Sequence, residues 1–224
     1  LINFLNLMGA DINREQDGSV IIKGVSNLNN KVEFDIIPDR IEAGTFMISV
    51  AMCGGDVTLK NVEPNHLSIV TNKLIDAGAN IDINKKELRI RMDNRPKSVD
   101  MSTAIYPGFP TDLQAQWMAL MTIAEGASTV TDTIYTDRFT HIAELERLGA
   151  KIHLDNNVAH ITGVKKLYGA QVMSTDIRAS ASLVIAGLAS DAETEISRIY
   201  HIDRGYDKIE EKFKLIGGKI KRVS

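Results

Sequence analysis

One short phrase recurs four times along the chain, and its spacing limits the possible folds more than any other feature. It begins at Gly9, Gly78, Gly149 and Gly217, in steps of 69, 71 and 68 residues. Each phrase follows a segment whose apolar residues recur every three or four positions, which predicts an amphipathic helix that ends at the glycine. After the first three phrases, alternating residues around a polar turn predict a β-hairpin, and after the fourth there is room for one short strand. A repeat of this length predicts similar units that bury their apolar faces against one another.

A second kind of helix is predicted earlier in each unit. Its segments are apolar on nearly every face and rich in Ala, Ser and Met, and they span residues 47–52, 113–124 and 179–189. A helix without a polar face is buried on all sides. Strands are predicted before these helices at 32–37, 99–105 and 170–174, and after them at 57–62, 129–134 and 193–199. The predicted fold is therefore α/β, with three βαβαββ repeats around buried helices.

The repeat also predicts the domain boundaries. Residues 1–25 contain only the last helix and hairpin of a further unit, and the chain starts within an apolar run without an initiator methionine. We therefore expect residues 1–25 to be the tail of a truncated upstream domain. Residues 26–224 are expected to form the domain of three repeats.

Composition disfavours several classes of function. The net charge of −3 and an aromatic content of 5% disfavour a nucleic-acid-binding protein. Cys53 is the only cysteine, so a disulfide framework is excluded, and the five histidines lack metal-ligand spacing. No apolar run reaches the roughly 18–20 residues that span a bilayer, so we expect no membrane partner.

Four arginines stand next to or near an aspartate at predicted helix starts. The pairs are Asp39 and Arg40, Asp137 and Arg138, Asp176 and Arg178, and Asp203 and Arg204. The aspartates suit helix capping, whereas a cation at a helix start is disfavoured by roughly 0.3–1 kcal/mol. Four such arginines in comparable places of a repeat predict a cationic cluster on one rim, which would bind an anion together with the helix N-termini.

Asp112 has two interpretations. In the first, Thr111 and Gln114 form a capping box and Asp112 only complements the helix dipole. In the second, Asp112 is an ionised, fixed carboxylate beside the turn at residues 107–110, and it accepts a proton from a substrate hydroxyl. The pattern alone favours neither.

Four ordered motifs carry a resemblance to a known family. They lie at residues 38–45, 109–116, 176–183 and 200–206, and they resemble the signatures of UDP-N-acetylglucosamine enolpyruvyl transferases, with a match that runs essentially from end to end. The resemblance implies an inside-out α/β barrel and a cytoplasmic transferase of peptidoglycan synthesis, with roles in cell shape and division. It also implies transfer of enolpyruvate from phosphoenolpyruvate to the 3-hydroxyl of UDP-N-acetylglucosamine with release of phosphate, and no cofactor.

The resemblance also implies roles for individual residues. Asp112 resembles the sugar-contacting carboxylate and candidate base, and Ile134 matches a position whose backbone contacts the nucleotide sugar. Arg204 matches an arginine that binds phosphoenolpyruvate, and Arg138 and Arg178 match arginines of the same cleft.

Other positions have supporting roles or depart from the family pattern. Asp39 and Arg40 are expected to support the site, and Asp176 is expected near an acid-loop cysteine. That cysteine belongs to the missing N-terminal domain, a partner within the same protein, and Cys53 does not match its loop. Thr136 stands where some relatives carry a glutamate, which leaves open how Arg138 is held.

Two alternatives remain at this stage. One is a relative that transfers enolpyruvate to shikimate, and the other is a non-catalytic ligand-binding paralogue. An upstream loop with a cysteine among glycines and arginines would separate the second alternative from an enzyme. Because the acid would come from the other domain, we expect this chain to be inactive alone.

Overall fold

A computed structural model describes residues 1–223, which divide into two compact units, Leu1–Ile37 and the residues from Pro38 onward. The division lies after Ile37, beyond the boundary expected after residue 25. The first unit contains helix α1 (Ile2–Leu7) and the antiparallel strands β1 (Asp11–Arg14) and β2 (Val20–Lys23). Residues 31–39 form no strand, contrary to the prediction for 32–37, because no described strand pairs with them.

The second unit contains three successive groups of elements. The first group is α2 (Arg40–Cys53), β3 (Gly55–Lys60), α3 (Ser68–Asp76), β4 (Asn80–Asn84) and β5 (Glu87–Met92). The second is β6 (Met101–Ser102), α4 (Gln114–Thr122), β7 (Ala127–Thr131), α5 (His141–Arg147), β8 (Lys151–Asp155) and β9 (Val158–Thr162). The third is β10 (Gln171–Met173), α6 (Ile177–Leu188), β11 (Glu195–Ser197) and α7 (Ile209–Leu215).

The strands of the second unit form three sheets, one for each group. The first has the antiparallel order β3-β5-β4, and the second has the order β6-β7-β9-β8, in which β6 and β7 are parallel. The third pairs β10 and β11 in parallel. Each parallel pair is joined through a buried helix, so the predicted βαβ order is confirmed in the second and third groups.

Helices α2, α4 and α6 pack against one another at the centre of the second unit. All nine residues of α4 are buried, as are residues 43–52 of α2 and 179–186 of α6. The prediction of helices buried on all sides is therefore confirmed. No helix within residues 1–223 is long and apolar enough to cross a membrane.

The glycine phrases end the amphipathic helices, as predicted. Gly9, Gly78, Gly149 and Gly217 have φ values of +99°, +105°, +93° and +94°. This left-handed conformation favours glycine and stops a helix. Two further strand predictions are wrong: residues 218–223 form no strand, and the segment 99–105 retains only β6 because residues 104–109 form a turn.

Candidate functional site

The helices α2 and α6 begin in the same way, each with an aspartate that caps its own helix. The Asp39 carboxylate accepts hydrogen bonds from the backbone N–H groups of Ile41 and Glu42, at 2.7 and 3.2 Å. The Asp176 carboxylate accepts from those of Arg178 and Ala179, at 2.7 and 3.0 Å. Both carboxylates satisfy donors that a helix start leaves free, so their capping role is confirmed.

Helix α4 begins differently, without the capping box of the first interpretation. A 3₁₀ turn, Thr111–Leu113, precedes the helix, and no side chain caps α4. The Thr111 hydroxyl instead donates to Asp132 Oδ2 at 2.7 Å. A buried carboxylate is a stronger acceptor than a neutral group, and it takes this hydroxyl away from the capping role.

The Asp112 carboxylate points to two arginines from other parts of the chain. Arg178 Nε donates to Asp112 Oδ1 at 2.5 Å, and Arg178 Nη2 forms an ion pair with the same oxygen. Arg138 Nη1 lies 3.9 Å from that oxygen. We call these three residues the Asp112 cluster. Its side chains are 23–40% exposed, so a ligand can reach them.

Arg138 does not stand at a helix start, contrary to the prediction, because α5 begins only at His141. Its guanidinium lies 3.6 Å from the centre of the Tyr135 ring, in a cation–π contact. Arg138 Nη1 is buried and has no hydrogen-bond partner within the described residues. This N–H group can therefore donate to an oxygen atom of a ligand.

Arg204 is the last residue of the 3₁₀ helix Ile199–Arg204, and α7 begins five residues later at Ile209. The prediction of a helix start at Asp203 and Arg204 is therefore wrong. Asp203 does not cap a helix but accepts from both Nη atoms of Arg222, at 2.7 and 2.9 Å.

The backbone next to Arg204 packs on the beginning of α6. A Cβ atom at Gly205 would lie only 2.9 Å from Ile177 Cγ2, so the close approach depends on a glycine. Within residues 1–223, no hydrogen bond or ion pair joins Arg204 to the Asp112 cluster. Arg204 instead lines a groove of about 480 Å³ together with Lys208, Glu210 and Arg222.

The remaining predicted positions lie on loops or helix starts. Ile134 is 38% exposed, and its N–H donates to Asp132 Oδ1 at 2.9 Å. Arg40, the first residue of α2, lies over the Tyr106 ring at 5.0 Å.

Sequence reasoning missed Asp132, which follows β7 and is fully buried. Burial alone would raise the pKa of this carboxyl, but hydrogen bonds from the Tyr135 and Ile134 backbone and from the Thr111 and Thr103 hydroxyls outweigh it. The pKa therefore lies below its ordinary value and the group is ionised. An aspartate between two threonines directly after a strand was the available signal.

Comparisons with known proteins agree over nearly the whole chain. The family described as EPSP synthase (3-phosphoshikimate 1-carboxyvinyltransferase) matches residues 1–213. Two relatives named UDP-N-acetylglucosamine 1-carboxyvinyltransferase are each 51% identical, over 224 residues in Desulfosudis oleivorans and over 223 residues in Geobacter metallireducens. These matches include 100% of this chain but only 54% and 53% of the relatives, so the chain spans about half their length.

Solved structures share the fold. The enolpyruvyl transferase NikO from Streptomyces tendae superposes with a TM-score of 0.87 at 25% identity, over 98% of this chain and 53% of that one. An EPSP synthase from Acinetobacter baumannii gives a TM-score of 0.65 at 17% identity, over 85% of this chain and 45% of that one.

Proposed function

Because the chain belongs to the EPSP synthase family of carboxyvinyltransferases, we propose that it is part of an enzyme that transfers enolpyruvate from phosphoenolpyruvate to the 3-hydroxyl of UDP-N-acetylglucosamine. The choice of acceptor is supported by the names of the relatives at 51% identity, whereas the EPSP synthase structure is only 17% identical. The reaction would release phosphate and serve peptidoglycan synthesis in the cytoplasm, with consequences for cell shape and division.

The proposal includes the architecture of the complete enzyme. The residues from 26 onward would form an inside-out α/β barrel of three repeats, with α2, α4 and α6 inside and the sheets around them. Residues 1–25 would belong to a preceding domain, which is supported by relatives about twice as long as this chain. That domain would supply the acid-loop cysteine near Asp176, and with it the proton donor.

The Asp112 cluster is the observation that carries the proposed chemistry. In the addition step, the sugar oxygen would bond to C2 of phosphoenolpyruvate, its proton would pass to Asp112, and the acid of the other domain would protonate C3. In the elimination step, the deprotonated acid would take a proton back from C3, the double bond would re-form and the C2–O bond to phosphate would break. The phosphate would leave with the proton that Asp112 had accepted. A fixed carboxylate beside two guanidinium groups fits the proton transfer and the stabilisation of the anionic groups.

Two further residues would complete the binding of substrates. The Ile134 carbonyl would contact the nucleotide sugar, and Arg204 would bind phosphoenolpyruvate from its groove. Arg178 pairs with Asp112, so an incoming phosphate or carboxylate group would compete with Asp112 for this arginine.

The test uses an enzyme completed with the N-terminal half of the Desulfosudis oleivorans relative. Phosphate release from phosphoenolpyruvate is measured with UDP-N-acetylglucosamine or with shikimate 3-phosphate as acceptor. We expect release only with the nucleotide sugar, and none from the 224-residue chain alone. Release with shikimate 3-phosphate, or turnover by the chain alone, would contradict the proposal.

Asp112 is tested in the same completed enzyme. Asp112→Asn keeps the shape of the side chain but removes the base, so turnover should fall at least roughly a hundredfold. The matched control is Asp56→Asn, which also breaks a pair of an aspartate with an arginine, Arg89. This pair lies on strands β3 and β5, outside the Asp112 cluster. Near-normal turnover by Asp112→Asn would exclude Asp112 as the base.

A further inference from the structure

The Asp132 side chain joins two segments that carry the Asp112 cluster. Its carboxylate is fully buried and accepts four hydrogen bonds. Buried charges are rare unless they are fully paired, and here no cation takes part among these donors. The carboxylate is held by neutral hydroxyl and backbone N–H groups, which themselves become fixed in position.

The first segment leads to Asp112. Thr111 Oγ1 donates to Asp132 Oδ2 at 2.7 Å, and Thr111 is the immediate neighbour of Asp112 in the 3₁₀ turn before α4. This bond replaces the cap that Thr111 would otherwise form, and it holds the turn by a charge-assisted contact.

The second segment leads to Arg138. The Ile134 and Tyr135 N–H groups both donate to Asp132 Oδ1 at 2.9 Å. The Tyr135 ring then lies against the Arg138 guanidinium, and the Arg138 N–H donates to the Tyr135 carbonyl at 3.3 Å. The position of Arg138 therefore depends on a turn that Asp132 fixes.

The backbone of Asp132 has a separate structural role. Its N–H donates to the Asn157 carbonyl at 3.0 Å, and its carbonyl accepts from Asn157 Nδ2 at 3.0 Å. These bonds do not involve the carboxylate, so the side chain is free to serve the site while the backbone holds the end of β7.

We propose that Asp132 is a positioning residue that fixes the Thr111–Asp112 turn relative to the Tyr135–Arg138 turn. Asp112 is thereby kept in contact with Arg178 and Arg138. The consequence for turnover rests on the proposed function, whereas the geometry of the Asp112 cluster does not.

The experiment is carried out on the 224-residue chain and needs no substrate. Thr111→Val is nearly isosteric and removes only the hydrogen bond to Asp132. The readout is the hydrogen-exchange rate of Arg178 Nε–H, measured by NMR, because this proton lies in the bond to Asp112. Loss of a hydrogen bond to a charged group should loosen the turn, and we expect exchange to become roughly tenfold faster.

The control variant is Thr122→Val. The Thr122 hydroxyl is also buried and donates one hydrogen bond, to the Ala119 carbonyl at 2.6 Å, but at the far end of α4. In Thr122→Val, the exchange rate of Arg178 Nε–H should stay within about twofold of that in the unchanged chain. This should hold even if Thr122→Val lowers the free energy of unfolding as much as Thr111→Val does. If Asp132 had a purely structural role, the two variants would show the same exchange rate at Arg178.

Asp132→Asn provides a second, conservative variant. Its amide oxygen can accept from the backbone N–H groups, and its NH₂ can donate to Thr111 Oγ1 when that hydroxyl reverses its role. We expect the exchange rate of Arg178 Nε–H in Asp132→Asn to lie between the rates in the unchanged chain and in Thr111→Val. Unchanged exchange in both Thr111→Val and Asp132→Asn would overturn the proposal. Failure of the completed enzyme to use UDP-N-acetylglucosamine would overturn only the proposed function, since the Arg178 signal is independent of it.

Discussion

The beginnings of α2 and α6 differ from the beginning of α4, although the three helices occupy comparable places in the repeat. Asp39 and Asp176 are used by their own helices, each accepting two backbone N–H groups. Asp112 caps nothing and contacts Arg178, 66 residues away in the sequence. A carboxylate that caps its own helix is not available for a ligand. Of the three helices, α4 is therefore the one that begins beside a carboxylate able to contact a ligand.

The α4 and α6 beginnings are also connected to each other. The Arg178 N–H is capped by Asp176, whereas its guanidinium pairs with Asp112. One residue thus joins a structural cap to the candidate catalytic carboxylate.

The largest effect on stability is expected from His141, the first residue of α5. The ring is buried, its Nε2 lies 3.2 Å from Met118 Sδ in α4, and burial lowers its pKa from 6.5 to about 4, although the charge of Asp176 opposes this shift. Between these pH values the unfolded chain binds a proton that the folded chain does not, so stability falls as the pH falls through this window. The loss is on the order of 3 kcal/mol.

Urea unfolding of the 224-residue chain between pH 7 and pH 4 measures this effect. His141→Gln should be less stable at neutral pH but should lose less stability on acidification. The control is His160→Gln, at an exposed position on β9. Its stability should depend on pH in the same way as that of the unchanged chain. An equal pH dependence of all three proteins would exclude His141 as the titrating group.

The second prediction concerns the competition between Asp112 and an anion. Asp112→Asn removes the charge that occupies Arg178 and Arg138, so inorganic phosphate should bind roughly tenfold more tightly, equivalent to about 1.4 kcal/mol. Calorimetric titration with phosphate measures this, with Asp56→Asn as the control for loss of a surface charge. Weaker binding to Asp112→Asn would show that the two arginines are not the anion site.

The smallest effects are expected from the caps themselves. Asp39→Ala and Asp176→Ala should each lower the free energy of unfolding by about 1 kcal/mol, because each leaves two helix N–H groups without a partner. Asp112→Ala should cost only roughly a few tenths of a kcal/mol, since a half-exposed ion pair contributes little. Urea denaturation at neutral pH compares the three, and an equal loss for Asp112→Ala would remove the distinction between the helix beginnings.

Local and periodic features were predictable from the sequence. Apolar residues recur with a period of 3.6 residues in helices and of 2 residues in strands. These periods predict the amphipathic helices with their glycine stops, the three hairpins and the all-round burial of α4. The absence of a strand at 32–37 was not predictable from the local pattern, because a strand exists only when another strand pairs with it. The helix starts assigned to Arg138 and Arg204 were wrong. Arg138 lies in a turn three residues before α5, and Arg204 ends a 3₁₀ helix five residues before α7.

The sequence by itself determined the repeat, the buried helices and the resemblance that points to an enolpyruvyl transferase. Only the tertiary structure excluded the capping box at Thr111 and showed Asp112 in contact with an arginine, because Thr111 bonds to Asp132 and Arg178 reaches Asp112. Helix periodicity is set by neighbours within a few residues, whereas these partners are 21 and 66 residues apart in the chain. Arg178 meets Asp112 because packing of the central helices brings the beginnings of α4 and α6 together, and Thr111 meets Asp132 because β7, which Asp132 follows, packs against α4.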